Sequence, residues 1–99
     1  MVYHVRTVAA VTDAGLEALR KALKYYRERY PKVHLVWLTS MSGELGTHVF
    51  VDDYPTLAAW EEHDAKVNAD PGWTEIWKEA GPGPFWSSIR DEFYNVVKE

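Results

Sequence analysis

Cysteine is absent from this 99-residue chain. That excludes disulfides, thiolate metal sites, dithiol redox motifs and cysteine nucleophiles together, and it makes the cytoplasm the expected compartment. Long apolar runs are missing as well. The longest, Val8–Val11 and Leu35–Leu38, reach four residues, against the ~20 that a membrane span needs, so no membrane association is expected. No basic-then-apolar leader ending in small residues opens the sequence, and no secretory signal is expected. The glycines cluster in turns, with nothing like a phosphate-cradling loop. Ser87-Ser88 lacks the flanking glycines of a nucleophile elbow, which leaves serine hydrolysis unsupported. An excess of positive charge is also lacking: 11 Lys and Arg stand against 15 Asp and Glu, a net charge of −4. Six of the bases lie between Arg20 and Lys32, but Glu17 and Glu28 accompany them. They read as a solvated helix face, and no nucleic-acid partner is expected.

What the chain has in quantity is aromatic: five Trp, six Tyr and three Phe. The length predicts one domain over residues 1–99 with a single small core. A core of that size does not easily hide so many rings, so a partner subunit or a ligand should cover some of them.

Val2–Ala10 is rich in β-branched and aromatic residues and reads as a first strand. Thr12 or Asp13 then caps a helix in which Leu16, Leu19, Leu23, Tyr26 and Tyr30 form one apolar stripe. Pro31 ends it, because the residue before a proline disfavours the helical conformation. Val33–Met41 and Leu45–Asp53 read as a hairpin around Ser42-Gly43-Glu44. A second helix follows Tyr54-Pro55-Thr56 and runs to about Ala69. Asp70-Pro71 opens a third, with Asp as N-cap and Pro in the first turn. Gly81-Pro82-Gly83-Pro84 stops it, and Phe85–Val97 is the last strand.

The order β-α-β-β-α-(α)-β predicts an α+β, ferredoxin-like sandwich: one four-stranded antiparallel sheet with its helices on one face. Alternation divides the strands into two sets. Tyr3, Val5, Thr7 and Ala9, with Val33, Leu35, Trp37, Phe85, Ile89 and Phe93, form the more apolar set, expected under the helices. His4, Arg6 and Val8, with His34, Val36, Leu38, Trp86, Arg90, Glu92 and Tyr94, form the other. This second set mixes charge with large apolar groups, which suits neither water nor a dry core. It is expected to form a homodimer interface through His4, Arg6, Val36, Leu38, Trp86, Arg90, Glu92 and Tyr94.

Several stretches carry a family resemblance. Val2-Tyr-His-Val-Arg-Thr7, Gly43-Glu-Leu-Gly46, Tyr54 through Trp60 and Ala69-Asp-Pro-Gly-Trp73 resemble the dimeric α+β barrel superfamily. Within it they resemble NIPSNAP-like proteins and the antibiotic-biosynthesis-monooxygenase (ABM) type. The resemblance implies a homodimer whose sheets face each other in a barrel, with a ligand pocket in each subunit between sheet and helices. It implies no single activity, because the superfamily holds cofactor-free oxygenases, polyketide cyclases, haem-handling enzymes and proteins without known activity.

On the second helix, Leu57, Trp60 and Val67 define the inward side, with His63 and Asp64 on its flanks. His63 is the candidate catalytic residue, as a general base or, alternatively, a haem ligand; the plainer reading is a boundary histidine bonded to a local acid. Tyr3, Trp37, Trp60, Asp64, Trp73 and Trp77 are the candidate substrate-binding residues. Trp73 and Trp77 read equally as core capping the sheet's end, and the hydroxyls of Tyr3 and Tyr26 as groups that find backbone partners. His4, His34 and His48 lie on three strands, but without metal-ligand spacing no metal is expected. The face that His48 occupies turns on whether the hairpin loop has two or three residues.

Three functions compete. The first is a homodimer binding an apolar or aromatic small molecule, acting without cofactor as a monooxygenase or a polyketide-cyclase-like enzyme. The second is a haem-binding or haem-degrading protein that uses the same pocket. The third is a non-catalytic NIPSNAP-like dimerisation or interaction module, expected to prevail if no cavity of at least ~300 Å³ lies between sheet and helices.

Overall fold

The computed structural model describes residues 1–43 and 46–99. Its elements are β1 (Val2–Ala9), α1 (Asp13–Arg29), β2 (Leu35–Thr39), β3 (His48–Tyr54), α2 (Leu57–Asn68), α3 (Pro71–Ala80) and β4 (Ser88–Asn95). They form a four-stranded antiparallel sheet in the order β2-β3-β1-β4 with its helices on one face, the ferredoxin-like arrangement expected. The turn at Ser42-Gly43-Glu44 and the strand start at Leu45 fall partly outside the described residues. β2 is shorter than Val33–Met41 at both ends, and β4 is likewise trimmed from Phe85–Val97. No helix among the described residues is long and apolar enough to cross a membrane.

The caps follow the sequence signals. Thr12 caps α1 by accepting from the Gly15 amide at 3.0 Å, and Asp70 caps α3 by accepting from the Gly72 amide at 3.0 Å, with Pro71 in the first turn. Thr12 also ties the helix start to the segment that precedes β4. Its amide donates to the Phe85 carbonyl at 2.9 Å and its hydroxyl to the Pro84 carbonyl at 2.9 Å. Gly15 is needed at this seam, because a Cβ there would stand 2.2 Å from the Phe85 carbonyl oxygen.

Along α1, Leu19, Leu23, Tyr26 and Tyr30 are buried as the stripe requires. Each buried leucine contributes roughly 1.5–3 kcal/mol of apolar transfer free energy. Asp70 joins α1 to α3: Tyr25 donates to its Oδ1 at 2.8 Å and Tyr30 to its Oδ2 at 2.7 Å. Those two hydroxyls hold its carboxyl below the usual range. Two core clusters result. One joins Val8, Leu19, Leu23 and Phe50; the other joins Tyr26, Tyr30 and Val67. Leu57, expected inward, is instead 44% exposed in the first turn of α2.

One strand lies the other way round from the expected division. β1 turns His4, Arg6 and Val8 under the helices and leaves Tyr3, Val5, Thr7 and Ala9 on the open face. His4 is paired with Phe93 and Asp52, Arg6 with Asp91 and Phe50, and Val8 with Ile89 and His48. Paired residues share a face, and Leu35 and Trp37 of β2 join the same side opposite Asp52 and Phe50. The assignments of β2 and of Ile89 and Phe93 to the covered face agree with expectation.

Candidate functional site

Beneath the helices the covered face of the sheet bounds a half-open cavity of about 120 Å³. Its two ends differ. One is apolar, walled by Val8, Leu19, Leu23, Phe50, Trp77 and Trp86; the other gathers His4, Arg6, Asp52, Tyr54, Tyr26 and His63.

The polar end is built from adjacent strands. β1 supplies His4 and Arg6, β3 supplies Asp52 and Tyr54, and β4 supplies Asp91. His4 Nδ1 lies 2.7 Å from Asp52 Oδ1, and its Nε2 lies 2.8 Å from Asp91 Oδ1. Arg6 donates to both Asp91 oxygens, from Nε at 2.7 Å and Nη2 at 3.1 Å. The Tyr54 hydroxyl donates to Asp52 Oδ2. Burial by itself lowers the His4 pKa, but hydrogen bonds and charge from Asp52 and Asp91 outweigh it, so the net shift is upward. For Asp91 burial pushes upward, and the bonds from Arg6 and His4 turn the net shift downward. His4 and Arg6 thus face two carboxylates, and among the described residues no buried side-chain nitrogen or oxygen lacks a partner. That pairing explains why β1 places its charged set inward. Counting apolar residues cannot show it, because a buried ion pair is acceptable only where partners from other strands complete it.

α2 positions His63 over this array. Its Nε2 lies 2.6 Å from the Tyr26 hydroxyl, and its ring packs edge-on against Tyr26 and Tyr30, at centroid separations of 5.8 and 5.1 Å. Burial lowers its pKa on balance, with Asp52 and Asp64 pulling upward and Lys66 adding to the downward shift, so its neutral form is favoured. Burial likewise raises the Tyr26 hydroxyl to about 12. Trp60 lies against both His4 and Phe93, at 5.1 and 4.6 Å. A neutral imidazole beside an aromatic-walled space can accept a proton from a bound molecule.

Of the residues expected to bind substrate, Trp60, Asp64, Trp73 and Trp77 line the cavity together with His63. Trp37 does not. It stacks on Phe50 and donates through Nε1 to His48 Nδ1 at 2.9 Å, forming part of the wall behind the lining. Tyr3 does not either; it lies on the open face, 39% exposed. Of the expected interface residues, Val36, Leu38, Arg90, Glu92 and Tyr94 lie on the open face, where Arg90 and Tyr94 both bond Glu92. His4, Arg6 and Trp86 belong to the covered side. Trp86 is drawn there by Trp77, 5.5 Å away.

His48 faces the covered side. The three strand histidines are not brought together: His34 is 82% exposed beside Asp53, and both nitrogens of His4 face carboxylates. Among the described residues no group of three or more His, Asp or Glu is arranged to hold a metal. The cavity does not fit haem. His63, the residue that would be its axial ligand, has its Nε2 bonded to Tyr26 and its ring enclosed by tyrosines.

Sequence reasoning missed Asp52, Tyr54 and Asp91 as members of the site. The available signal was His4-x-Arg6 on one strand and Asp52-x-Tyr54 on another, two polar pairs at strand spacing.

No protein-family model matches the chain, and no curated protein matches it in sequence. Solved structures do match. A NIPSNAP family protein of unknown function from Agrobacterium tumefaciens aligns with TM-score 0.76 and 19% identity, over 99% of this chain and 95% of its own. An uncharacterised NIPSNAP domain protein from Burkholderia xenovorans aligns with TM-score 0.70 and 20% identity, over 98% and 95%. An antibiotic biosynthesis monooxygenase aligns with TM-score 0.62 and 15% identity, over 99% and 100%. At such identities the likeness is one of fold: this chain has the α+β fold of NIPSNAP and antibiotic biosynthesis monooxygenase structures.

Proposed function

We propose that the protein is a homodimer that binds a small molecule of about one aromatic ring between sheet and helices, with His63 taking a proton from it. The observation that carries this is the imidazole of His63, held by the Tyr26 hydroxyl at the polar end of an otherwise aromatic and aliphatic cavity. Volume sets the ligand's size. About 120 Å³ compares with the roughly 150 Å³ engineered cavity that accepts benzene, and falls short of the ~300 Å³ of a drug-sized site. Multi-ring polyketides are therefore poor candidates. Deprotonating an activated C–H or O–H would leave the electron pair on the ligand. That anion would then either be oxidised by O₂, as in a cofactor-free monooxygenase, or close onto a carbonyl, as in a cyclase.

The dimer would form through the open face, where Val36, Leu38 and Tyr94 are each about half exposed. Native mass spectrometry at micromolar concentration tests it, and a strictly monomeric species excludes it.

The ligand reading is tested by titrating the protein with phenol and following the indole N–H resonances. Saturable shifts at Trp60, Trp73 and Trp77 are expected. Once a substrate is found, a His63→Ala variant with full turnover would remove the proton-transfer role. The second reading, a non-catalytic NIPSNAP-like dimerisation module, is favoured by the small cavity volume. It prevails if no single-ring probe binds.

A further inference from the structure

Arg6 has more donors than its pairing uses. It lines the cavity, and its side chain is 34% exposed where those of His4 and Asp52 are 6% and 8%. Asp91 takes its Nε at 2.7 Å and its Nη2 at 3.1 Å, one edge of the fork, and neither bond uses Nη1. His4, by contrast, has both nitrogens against carboxylates. Of the two basic side chains on β1, Arg6 is therefore the one that keeps N–H groups for a guest. The double bond to Asp91 holds the guanidinium plane, so those donors are set before anything binds. Its charge also reaches the atom beside the base. At the Tyr26 hydroxyl, 2.6 Å from His63 Nε2, burial dominates and favours the neutral form, and Arg6 is the charged residue that favours an oxyanion.

We infer that Arg6 is a further catalytic residue, whose guanidinium holds the ligand oxygen that keeps the negative charge once His63 has taken the proton. The inference rests on His63 being the base, and it adds where the charge goes. The ligand's O–H or activated C–H bond breaks, an N–H bond forms on the imidazole, and the electron pair settles on the ligand's oxygen against Arg6 Nη1. A donor fixed in advance where charge develops costs no reorganisation at the moment of transfer. This names the ligand class: a single ring whose conjugate base is an oxyanion, through a hydroxyl on an unsaturated ring or a ring ketone that enolises. Asp91, Asp64 and Asp52 all place negative charge near Arg6. They disfavour a guest that arrives already ionised. A guest that arrives neutral and passes its proton to His63 leaves the net charge of the cavity unchanged, and gains from the Arg6 donors as its own charge appears.

The test needs no substrate. Two probes of similar size, 4-fluorophenol and fluorobenzene, differ in the hydroxyl, and ¹⁹F NMR follows the binding of each. A purely apolar hole favours fluorobenzene, because burying a hydroxyl without partners is costly. Here 4-fluorophenol should bind about tenfold tighter, and should ionise at a pH about one unit lower when bound than when free. In protein labelled with ¹⁵N-arginine, the Arg6 Nη resonances should move on saturation with 4-fluorophenol and stay in place with fluorobenzene. Arg6→Gln should abolish the change in ionisation while fluorobenzene still binds, a separation that a merely structural role would not produce. If that variant does not fold, the Arg6 resonances of the unmodified protein decide. Resonances that ignore the hydroxyl, or an ionisation change that survives Arg6→Gln, overturn the inference while the ligand reading stands. If neither ring binds, the ligand reading falls and the role of Arg6 falls with it.

Discussion

The covered face of the sheet buries His4 and Asp52 and half-buries Arg6, while the open face exposes Val36, Leu38 and Tyr94. Neighbours along β3 sharpen the contrast: Phe50 and Asp52 share the covered face, both 7% exposed, one in an aromatic wall and the other in an ion-pair network. The difference teaches that a face is chosen by what can meet its groups there. Charges go inward where β1, β3 and β4 together complete every partner. Val36 and Leu38 stay outward, each about half exposed, on the face through which the proposed dimer would form.

Breaking the covered face should have the largest effect. Asp52→Ala leaves buried His4 Nδ1 and the Tyr54 hydroxyl without their carboxylate partner and should cost about 3–5 kcal/mol in urea unfolding. Phe50→Ala, two residues away, should cost about the same through the cavity it opens. If Asp52→Ala proved near neutral, the charge network would be incidental to the fold. Gly15→Ala presses a methyl into the Phe85 carbonyl and should cost about 1–3 kcal/mol. A melting temperature equal to that of the unmodified protein would show that the seam between α1 and the β4 approach can yield.

Smaller still is the effect of pH. The folded-state pKa of His4 is raised above the unfolded 6.5, so its stabilisation is fully present below that value and fades as pH rises through the folded pKa. The folded pKa of His63 is lowered, so its contribution is present above 6.5 and fades as pH falls through the folded value. Melting curves should therefore decline on the alkaline side of about pH 6.5, and His4→Gln should remove that decline. A slope that survives the substitution assigns it to another group. Smallest for the protomer itself is Leu38→Glu. On the open face it should move monomer unfolding by less than ~0.5 kcal/mol. In a sizing experiment it should shift a dimer to monomer, and an intact dimer would place the interface elsewhere.

How far the sequence foretold this can be followed residue by residue. The helix stripe of Leu19, Leu23 and Tyr26 was legible because a helix writes its buried face in consecutive residues. The caps at Thr12 and Asp70 were legible for the same reason: each acts on amides two or three positions away. His63 with Trp60, Asp64, Trp73 and Trp77 was legible as a set, since α2 and α3 carry them within a short span. What β1 would do was not. Its orientation depends on Asp52 and Asp91, 48 and 87 residues along the chain, and on a register that alternation alone leaves free by one step. The site's charged floor was hidden by that distance, and Trp37 was misplaced by one layer because its partner His48 belongs to a different strand.

Four of the five tryptophans, at 60, 73, 77 and 86, border the same cavity. Trp77 stands 5.9 Å from Trp73 and 5.5 Å from Trp86 at steep interplanar angles. Indoles so close and so inclined couple their electronic transitions. The protein therefore carries a built-in optical gauge of that space. Its near-ultraviolet circular dichroism should be dominated by the three coupled rings, and a guest that parts them, or a Trp77→Phe substitution at the middle one, should erase that signal while the helical bands stay in place.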